Sequence, residues 1–126
     1  MILDAGFLVS VDRGEHAAQA FLTAALRQDV PLNATHPVVA QVCRNGARQA
    51  RLAKFLGGIA VHPFDNGREV GTILSRSGTA DVVDAHLVSI AIRLSEPILT
   101  ADVEDRDLDA LVTSLPDRRP RVLGWP

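Results

Sequence analysis

The sequence contains few cysteine, lysine or aromatic residues. Its single cysteine, Cys43, excludes an intramolecular disulfide, which is typical of a chain that folds in a reducing cytoplasm. Tyrosine is absent and aromatic residues make up 4% of the chain, so base stacking is not expected to be the main source of nucleic-acid specificity. Lys54 is the single lysine among 13 basic residues, and a net charge of -2 excludes binding a polyanion by bulk positive charge alone.

The apolar residues indicate one soluble domain. They make up 47% of the 126 residues, and charged residues make up 22%, which is ordinary for a globular chain of this length. The longest apolar run, residues 87–92, is broken by Ser89 and is too short to span a membrane. The first residues lack a basic stretch followed by an apolar one, so we expect no signal peptide. We therefore expect a single cytoplasmic domain over residues 1–126.

Short β-rich runs alternate with longer helical ones. We expect strands at residues 1–3, 30–34, 59–62, 98–100 and 121–123. We expect helices at residues 7–11, 15–27, 37–44 (bending at Gly46 and resuming over 47–56), 66–75, 80–93 and 103–111. Thr35 or His36 is expected to cap the third helix, and Thr79 the helix from residue 80. This alternation predicts an α/β fold of three layers, with a mostly parallel sheet between two layers of helices.

Three aspartates are expected to meet at one edge of this sheet. Asp4 follows the first strand and Asp102 the fourth, and open parallel sheets bind ligands at the carboxyl ends of their strands. Either residue alone could be an ordinary turn acid, but together they favour a site. Asp84 shares the apolar stripe of its helix with Leu87, where a carboxylate is rare unless paired or bound to metal. Asp81, one turn earlier, could join the site or only stabilise the helix dipole.

A divalent cation would relieve the repulsion between these carboxylates. Several carboxylates in one crevice repel each other unless a cation is bound, and a hard ion with oxygen ligands suits them. We expect Mg²⁺ or Mn²⁺, because Cys43 and the four histidines lack the spacing of zinc ligands. His86 falls on the opposite face of its helix from Asp84 and is expected to be structural.

Three motifs, in order along the chain, make the sequence recognisable. They are Leu-Asp-Ala-Gly at residues 3–6, Ala-Asp-Val-Val-Asp-Ala-His at 80–86 and Ile-Leu-Thr-Ala-Asp-Val-Glu-Asp at 98–105. Each motif is weak alone, but the ordered set resembles the PIN-domain family, and the VapC-type toxins of bacterial toxin–antitoxin pairs in particular. The resemblance covers nearly the whole chain. It implies a central parallel sheet of order 3-2-1-4-5, which places the first and fourth strands side by side.

The resemblance also implies an activity and a set of partners. Members of this family are metal-dependent endoribonucleases, hydrolases that cleave RNA phosphodiester bonds. By this resemblance Asp4, Asp84 and Asp102 would hold Mg²⁺ or Mn²⁺, while Thr100 and Asp105 would orient Asp102 and solvent. Asp105 could equally be a helix-dipole acid. The expected partners are an RNA substrate, a small antitoxin protein and a second copy of the chain.

The sequence departs from the family pattern at two positions. An acid on the third helix usually completes the site, but Val-Val-Ala-Gln-Val places Gln41 there. A glutamine ligates or hydrogen-bonds through its carbonyl oxygen without bringing charge, and we expect Asp81 to return that charge. Gly6 stands where many members have Ser or Asn.

Basic residues follow Gln41 at helical spacing. Arg44, Arg48 and Arg51 share one face with it if Gly46 does not break the helix, and that face would suit RNA phosphates. The alternative is an ordinary solvated helix face. Two other functions fit part of the sequence. A catalytically weak PIN module that binds RNA or protein stays open, whereas a phosphoacceptor receiver domain is disfavoured because the single Lys54 lies in a helix.

Overall fold

The computed structural model describes residues 1–44, 46–101, 106–116 and 119–125, with Arg106 and Asp107 described by their backbone alone. In these ranges the strands are β1 (Ile2–Leu3), β2 (Asn33–Thr35), β3 (Ala60–His62), β4 (Ile98–Thr100) and β5 (Val122–Gly124). The helices are α1 (Ala5–Asp12), α2 (His16–Arg27), α3 (His36–Val42), α4 (Ala50–Leu56), α5 (Gly67–Ser77), α6 (Val82–Leu94) and α7 (Arg106–Thr113). A 3-10 turn, Gly46–Arg48, precedes α4.

The strands form one parallel sheet of order β3-β2-β1-β4-β5. This confirms the α/β class and the order 3-2-1-4-5 expected from the resemblance. Ile2 pairs with both Asn33 and Ile98, so β1 lies between β2 and β4. From β1 the chain adds β2 and β3 on one side of the sheet and β4 and β5 on the other. Parallel α/β sheets bind ligands at such a switch in strand order, beyond the carboxyl ends of the strands.

Side chains alternate between two faces of the sheet. One face, called here the acid face, carries Ile2, Asn33, Thr35, Ile98 and Thr100. The helix α6 contacts β1 and β2 and packs beside α5 and α7, and we assign this layer to the acid face. Nearly all of α6 from Asp84 to Ala91 is buried, which explains its long apolar run.

The other face, called here the aromatic face, holds an aromatic cluster. The Phe7 ring of α1 packs edge-on against Trp125, with centroids 4.8 Å apart, and against Phe21 of α2 at 5.3 Å. The Phe55 ring of α4 lies 6.4 Å from Phe7. The Trp125 indole N–H donates to Ser10 Oγ at 3.1 Å. Four of the five aromatic residues therefore pack in this cluster, while the fifth, Phe64, is 45% exposed.

One expectation about a helix cap was wrong. Thr79 does not cap α6, because Asp81 is the N-cap and its Oδ1 accepts a hydrogen bond from the Asp84 amide. The interruption expected at Gly46 is a full break, which separates α3, the 3-10 turn and α4. The second strand also begins at Asn33, three residues later than its hydrophobic pattern predicts.

Candidate active site

Asp4 lies at the carboxyl end of β1, where it also begins α1. Its Oδ1 accepts from the Ala5 amide at 2.7 Å, and its Oδ2 accepts from the Thr100 hydroxyl at 3.0 Å. The Asp4 amide donates to Leu99 O at 2.9 Å, which ties the residue to β4. A carboxylate at a helix N-terminus is stabilised in its charged form by the helix dipole. Asp4 is thus a fixed anionic group at the switch point of the sheet.

Thr100 joins the ends of two neighbouring strands. Its side chain is 1% exposed, and its hydroxyl proton goes to Asp4 across the β1–β4 pair. The sequence linked Thr100 to Asp102 through the resemblance; the described structure adds Asp4 as its acceptor. A buried hydroxyl that donates to a carboxylate leaves that carboxylate's other lone pairs to accept from, or ligate, a further group.

Asp84 belongs to the helix layer that we assign to the acid face. It lies in the first turn of α6 and is 8% exposed, although its side chain is a carboxylic acid. The helix contacts β1, which is followed by Asp4, and β2, which ends at Thr35. The Asp81 cap fixes the first turn by accepting from the Asp84 amide at 3.0 Å. Whether Asp81 also carries charge to a cation stays a prediction.

Thr35 is a residue that sequence reasoning treated only as a cap. It ends β2 on the acid face, is 0% exposed, and makes no side-chain cap bond to α3. Parallel pairing places His62 of β3 beside it, while β1 pairs with β2 at Ile2 and Asn33. The signal that could have found it is its register, since it lies two residues after Asn33 as Asp4 lies two after Ile2.

Two expected site residues, Asp102 and Asp105, lie outside the described residues. Across residues 1–44, 46–101, 106–116 and 119–125, no group of three or more His, Cys, Asp or Glu is placed to hold a metal ion. What the described part offers is two carboxylates, Asp4 and Asp84, with the neutral hydroxyls of Thr35 and Thr100. Oxygen donors of this kind fit Mg²⁺ or Mn²⁺ rather than a softer ion. The third carboxylate of the expected set remains a prediction.

The basic ridge does not form one helical face. Gln41 is exposed on α3. Its backbone carbonyl accepts a hydrogen bond at 2.8 Å from Nε of Arg44, which lies just beyond the end of that helix. Arg48 belongs to the 3-10 turn and Arg51 to α4. The Arg51 guanidinium lies over Gly14, where a Cβ would come within 2.8 Å of Arg51 Cζ. The condition for a shared face therefore fails, because the helix breaks before Gly46.

A cleft lies elsewhere on the chain. It has a volume of about 900 Å³ and runs between α2 and α4 and the amino ends of β2 and β3. Its lining is mainly apolar, including Leu22, Leu26 and Phe55, and contains no acidic residue among those described. A divalent cation finds no carboxylate ligand in this lining, so the acid site and this cleft are separate features.

His86 has the structural role expected of it. It is 0% exposed, and its Nε2 donates to Pro63 O at 3.1 Å, which holds the β3–α5 connection against α6. Burial lowers the pKa of His86, because the charged imidazolium loses its hydration there. The histidine is therefore held neutral and serves as a hydrogen-bond donor within the core.

Comparison with known proteins shows the fold. No protein-family model matches the sequence, and a search of curated proteins gives no match. Among solved structures the chain is similar to VapBC2 from Rickettsia felis bound to a DNA fragment from their promoter. The two are 14% identical with a TM-score of 0.72, and the match covers 99% of this chain and 98% of that chain. The chain therefore shares its fold with that structure.

Proposed function

We propose that this chain is a metal-dependent endoribonuclease of the VapC toxin type, a hydrolase that cleaves RNA phosphodiester bonds. The observation that carries the proposal is the Asp4 carboxylate, fixed by the Thr100 hydroxyl and the Ala5 amide at the switch point of the sheet. The burial of Asp84 on α6, a helix that contacts β1 and β2, supports the same site. The VapBC-related fold and the ordered sequence motifs support the same activity.

Each residue has a distinct part in this proposal. Asp4 and Asp84, with Asp102 from the β4–α7 connection, would hold Mg²⁺ or Mn²⁺ through carboxylate oxygens. When bound, such an ion polarises a phosphodiester and lowers the pKa of a water. Thr100 keeps Asp4 oriented by occupying one of its lone pairs, and Gln41 offers a neutral carbonyl oxygen where the family has an acid.

The proposal includes three partners. An RNA strand is the substrate, and its phosphates would be contacted by Arg44 after α3, Arg48 of the 3-10 turn and Arg51 of α4. A small antitoxin protein would inhibit the toxin, as the similar VapBC2 pair suggests. A second copy of the chain would complete a homodimer. None of the helices in the described ranges has the length and hydrophobicity needed to cross a lipid bilayer.

A second candidate is a catalytically weak PIN module that acts by binding RNA or protein. Gln41 favours it, because a neutral amide at that position removes one negative charge from the site, and charge supplies most of the attraction for a cation. Asp84 favours the active enzyme, because burying a carboxylate is costly unless it has a partner or a ligand.

An RNA-cleavage assay decides between the two. The full chain is incubated with a mixed-sequence RNA in Mg²⁺, in Mn²⁺ and in EDTA, beside Asp4→Asn and Asp84→Asn. We expect cleavage with metal only, and a loss of at least about a hundredfold in both variants, since each removes a charged ligand. Asn keeps the N-cap acceptor that Asp4 gives to α1, so the fold is preserved.

Asp29→Asn is the matched control. Asp29 is exposed before β2 at a φ of 52°, where Asn is well tolerated, so it should leave cleavage unchanged. Cleavage that persists in EDTA, or in Asp4→Asn, would identify a contaminating nuclease and refute the proposal. Metal binding by the parent without any cleavage would favour the binding module.

A further inference from the structure

Phe64 is an aromatic side chain that the core does not use. The other four aromatic residues pack together around Phe7, whereas Phe64 is 45% exposed and lies outside the core cluster. An exposed ring forgoes the burial by which aromatic side chains stabilise a fold. A lone exposed apolar residue is ordinary on a protein surface, so the role of Phe64 depends on what lies beside it.

Val82 extends the exposed apolar surface at Phe64. The Phe64 ring meets the His86 ring in a T-shaped contact, with centroids 5.0 Å apart. Val82 is also 45% exposed, and it lies one turn before His86 on the same face of α6. Two of the three exposed large hydrophobic residues in the described chain therefore lie beside the first two turns of one helix. We call Phe64 and Val82 the Phe64 patch.

The Phe64 patch lies at the edge of the sheet that carries the candidate site. Phe64 follows the end of β3 as Asp4 follows the end of β1, and the carboxyl ends of parallel strands share one edge. The helix α6 runs into the amino end of β4, so its own first turn, with Val82 and the buried Asp84, lies at the carboxyl edge. Two strand spacings separate β3 from β1, about 10 Å, which a short stretch of single-stranded RNA spans.

The contact with His86 holds the Phe64 ring and leaves part of it free. In a T-shaped pair one ring points its edge at the other, so His86 covers at most one face of the Phe64 ring. The hydrogen bond from His86 Nε2 to the carbonyl of Pro63 ties the backbone just before Phe64 to α6. The ring is therefore presented on a fixed base, with a face available to a planar ligand.

An unpaired nucleobase fits the Phe64 patch better than a protein surface does. The residues around the patch are charged, since Asp65 Oδ1 and Glu69 Oε2 lie 4.0 Å and 3.7 Å from the Arg93 guanidinium. Two apolar side chains bounded by these charges offer far less than the about 800 Å² per partner that a stable protein interface covers. The pairing with Arg93 also offsets part of the repulsion between these acids and RNA phosphates.

We propose that Phe64 is an RNA-binding residue whose ring stacks on an unpaired base of the strand held at Asp4 and Asp84. The inference rests on the proposed function for RNA as the substrate. Every base has a face that can stack, but a base in a duplex is already stacked and paired, so Phe64 selects single-stranded RNA rather than a sequence. One ring adds affinity in this way, although the chain has too few aromatic residues for an extended stacking platform.

The test measures the binding of a labelled single-stranded RNA by fluorescence polarisation in EDTA, where metal-dependent cleavage does not consume the probe. We expect Phe64→Ala to bind about tenfold more weakly, as loss of one base–aromatic stack does. Phe64→Leu keeps an apolar side chain without a ring and should also bind more weakly, whereas Phe64→Tyr should stay within about twofold of the parent. Leu26→Ala is the matched control, because Leu26 is 80% exposed on α2 and should not affect RNA binding.

An abasic strand with the same backbone separates stacking from an effect on the fold. The parent and Phe64→Ala should bind it equally, because it offers the ring no base, and a fully paired RNA duplex should show no difference either. Equal weakening of the normal and abasic strands by Phe64→Ala would overturn the proposal. So would unchanged RNA affinity in Phe64→Ala or Phe64→Leu, or a parent that binds no RNA. Base-dependent binding through Phe64 without cleavage in Mg²⁺ or Mn²⁺ would refute the nuclease alone.

Discussion

At Asp4 one carboxylate serves two roles, because its oxygens have different partners. Oδ1 accepts from the Ala5 amide and begins α1, while Oδ2 accepts from the Thr100 hydroxyl of the next strand. The sequence placed Asp4 at a strand end but could not show the Thr100 contact, which joins residues 96 positions apart. The N-cap of α1 and the candidate site therefore share one carboxylate, and the dipole of α1 favours a negative charge at that point.

Gly6 shows why a departure from the family pattern is tolerated. A Cβ built on Gly6 would overlap the Cβ of Ala101, so the Ala101 methyl occupies the space of a Gly6 side chain. In a helix such as α1, glycine to alanine ordinarily stabilises by about 1 kcal/mol. Here overpacking costs about 1–3 kcal/mol, so we expect Gly6→Ala to lower the free energy of unfolding measured in urea.

The paired variant tests the cause. Ala101→Gly removes the obstructing methyl, and in the double variant Gly6→Ala should become neutral or stabilising relative to Ala101→Gly alone. Equal losses for Gly6→Ala in both backgrounds would mean that the glycine is required for its backbone and not for this contact.

The first turn of α6 shows how a site acid and a helix cap are combined. Asp81 accepts from the Asp84 amide at 3.0 Å, so the cap sets where the Asp84 side chain stands. We expect Asp81→Ala to lower the free energy of unfolding by about 1 kcal/mol, and Asp81→Asn to keep it, since Asn caps equally well. Chemical denaturation in EDTA measures both.

Metal titration of the same variants separates the cap from the charge. If Asp81 replaces the acid that Gln41 lacks, Asp81→Asn weakens Mg²⁺ binding although it preserves stability, and Gln41→Glu strengthens it. Affinity in Asp81→Asn equal to that of the parent would leave Asp81 as a cap only.

At the scale of the element, the full break between α3 and α4 was not predicted from the sequence. The spacing of Gln41, Arg44, Arg48 and Arg51 is helical, but the side chain of Gln49 competes for the backbone. Gln49 Nε2 donates to Val42 O at 2.7 Å, and its Oε1 accepts from the Arg44 amide at 3.0 Å. A side chain thus satisfies groups that a continuous helix would have paired. Local spacing cannot reveal this, because it depends on where the chain folds back.

At the scale of the whole molecule, the strand and helix order follows from hydrophobic periodicity, while the sheet order came from the resemblance. The ends of β1 and β4 were predicted because each closes an apolar run before Asp4 and Asp102. The burial of Thr35 was not predicted, since a buried hydroxyl looks the same in sequence as an exposed cap. The position of Arg51 was missed for a similar reason, because only tertiary packing places its guanidinium over Gly14.

At the scale of the whole molecule, we expect His86 to make the stability of the fold depend on pH. Its ring lies edge-on to Phe64, with centroids 5.0 Å apart, and its Nδ1 is buried without a partner among the described residues. Burial lowers the pKa of His86 below its ordinary value of 6.5, and nearby Arg93 lowers it further, against the opposing effects of the Pro63 carbonyl and Asp65. The imidazole of His86 therefore binds a proton more weakly in the folded chain than in the unfolded chain.

Acid should then favour unfolding. Between the pKa of His86 in the folded chain and its pKa in the unfolded chain, the unfolded state binds more protons. The contribution of His86 to the free energy of unfolding is therefore complete above about pH 6.5. It falls as the pH drops below that value, by up to about 1.4 kcal/mol per unit of pKa difference. His86→Gln can still donate to Pro63 O but does not titrate. Urea unfolding of both proteins at pH 7.5 and pH 5.5 measures the effect, and all other titratable groups are common to both. We expect the parent to lose more stability than the variant between these pH values. Equal losses would show that His86 takes up its proton as readily in the folded chain as in the unfolded one, and that burial by Phe64 and α6 does not hold it neutral.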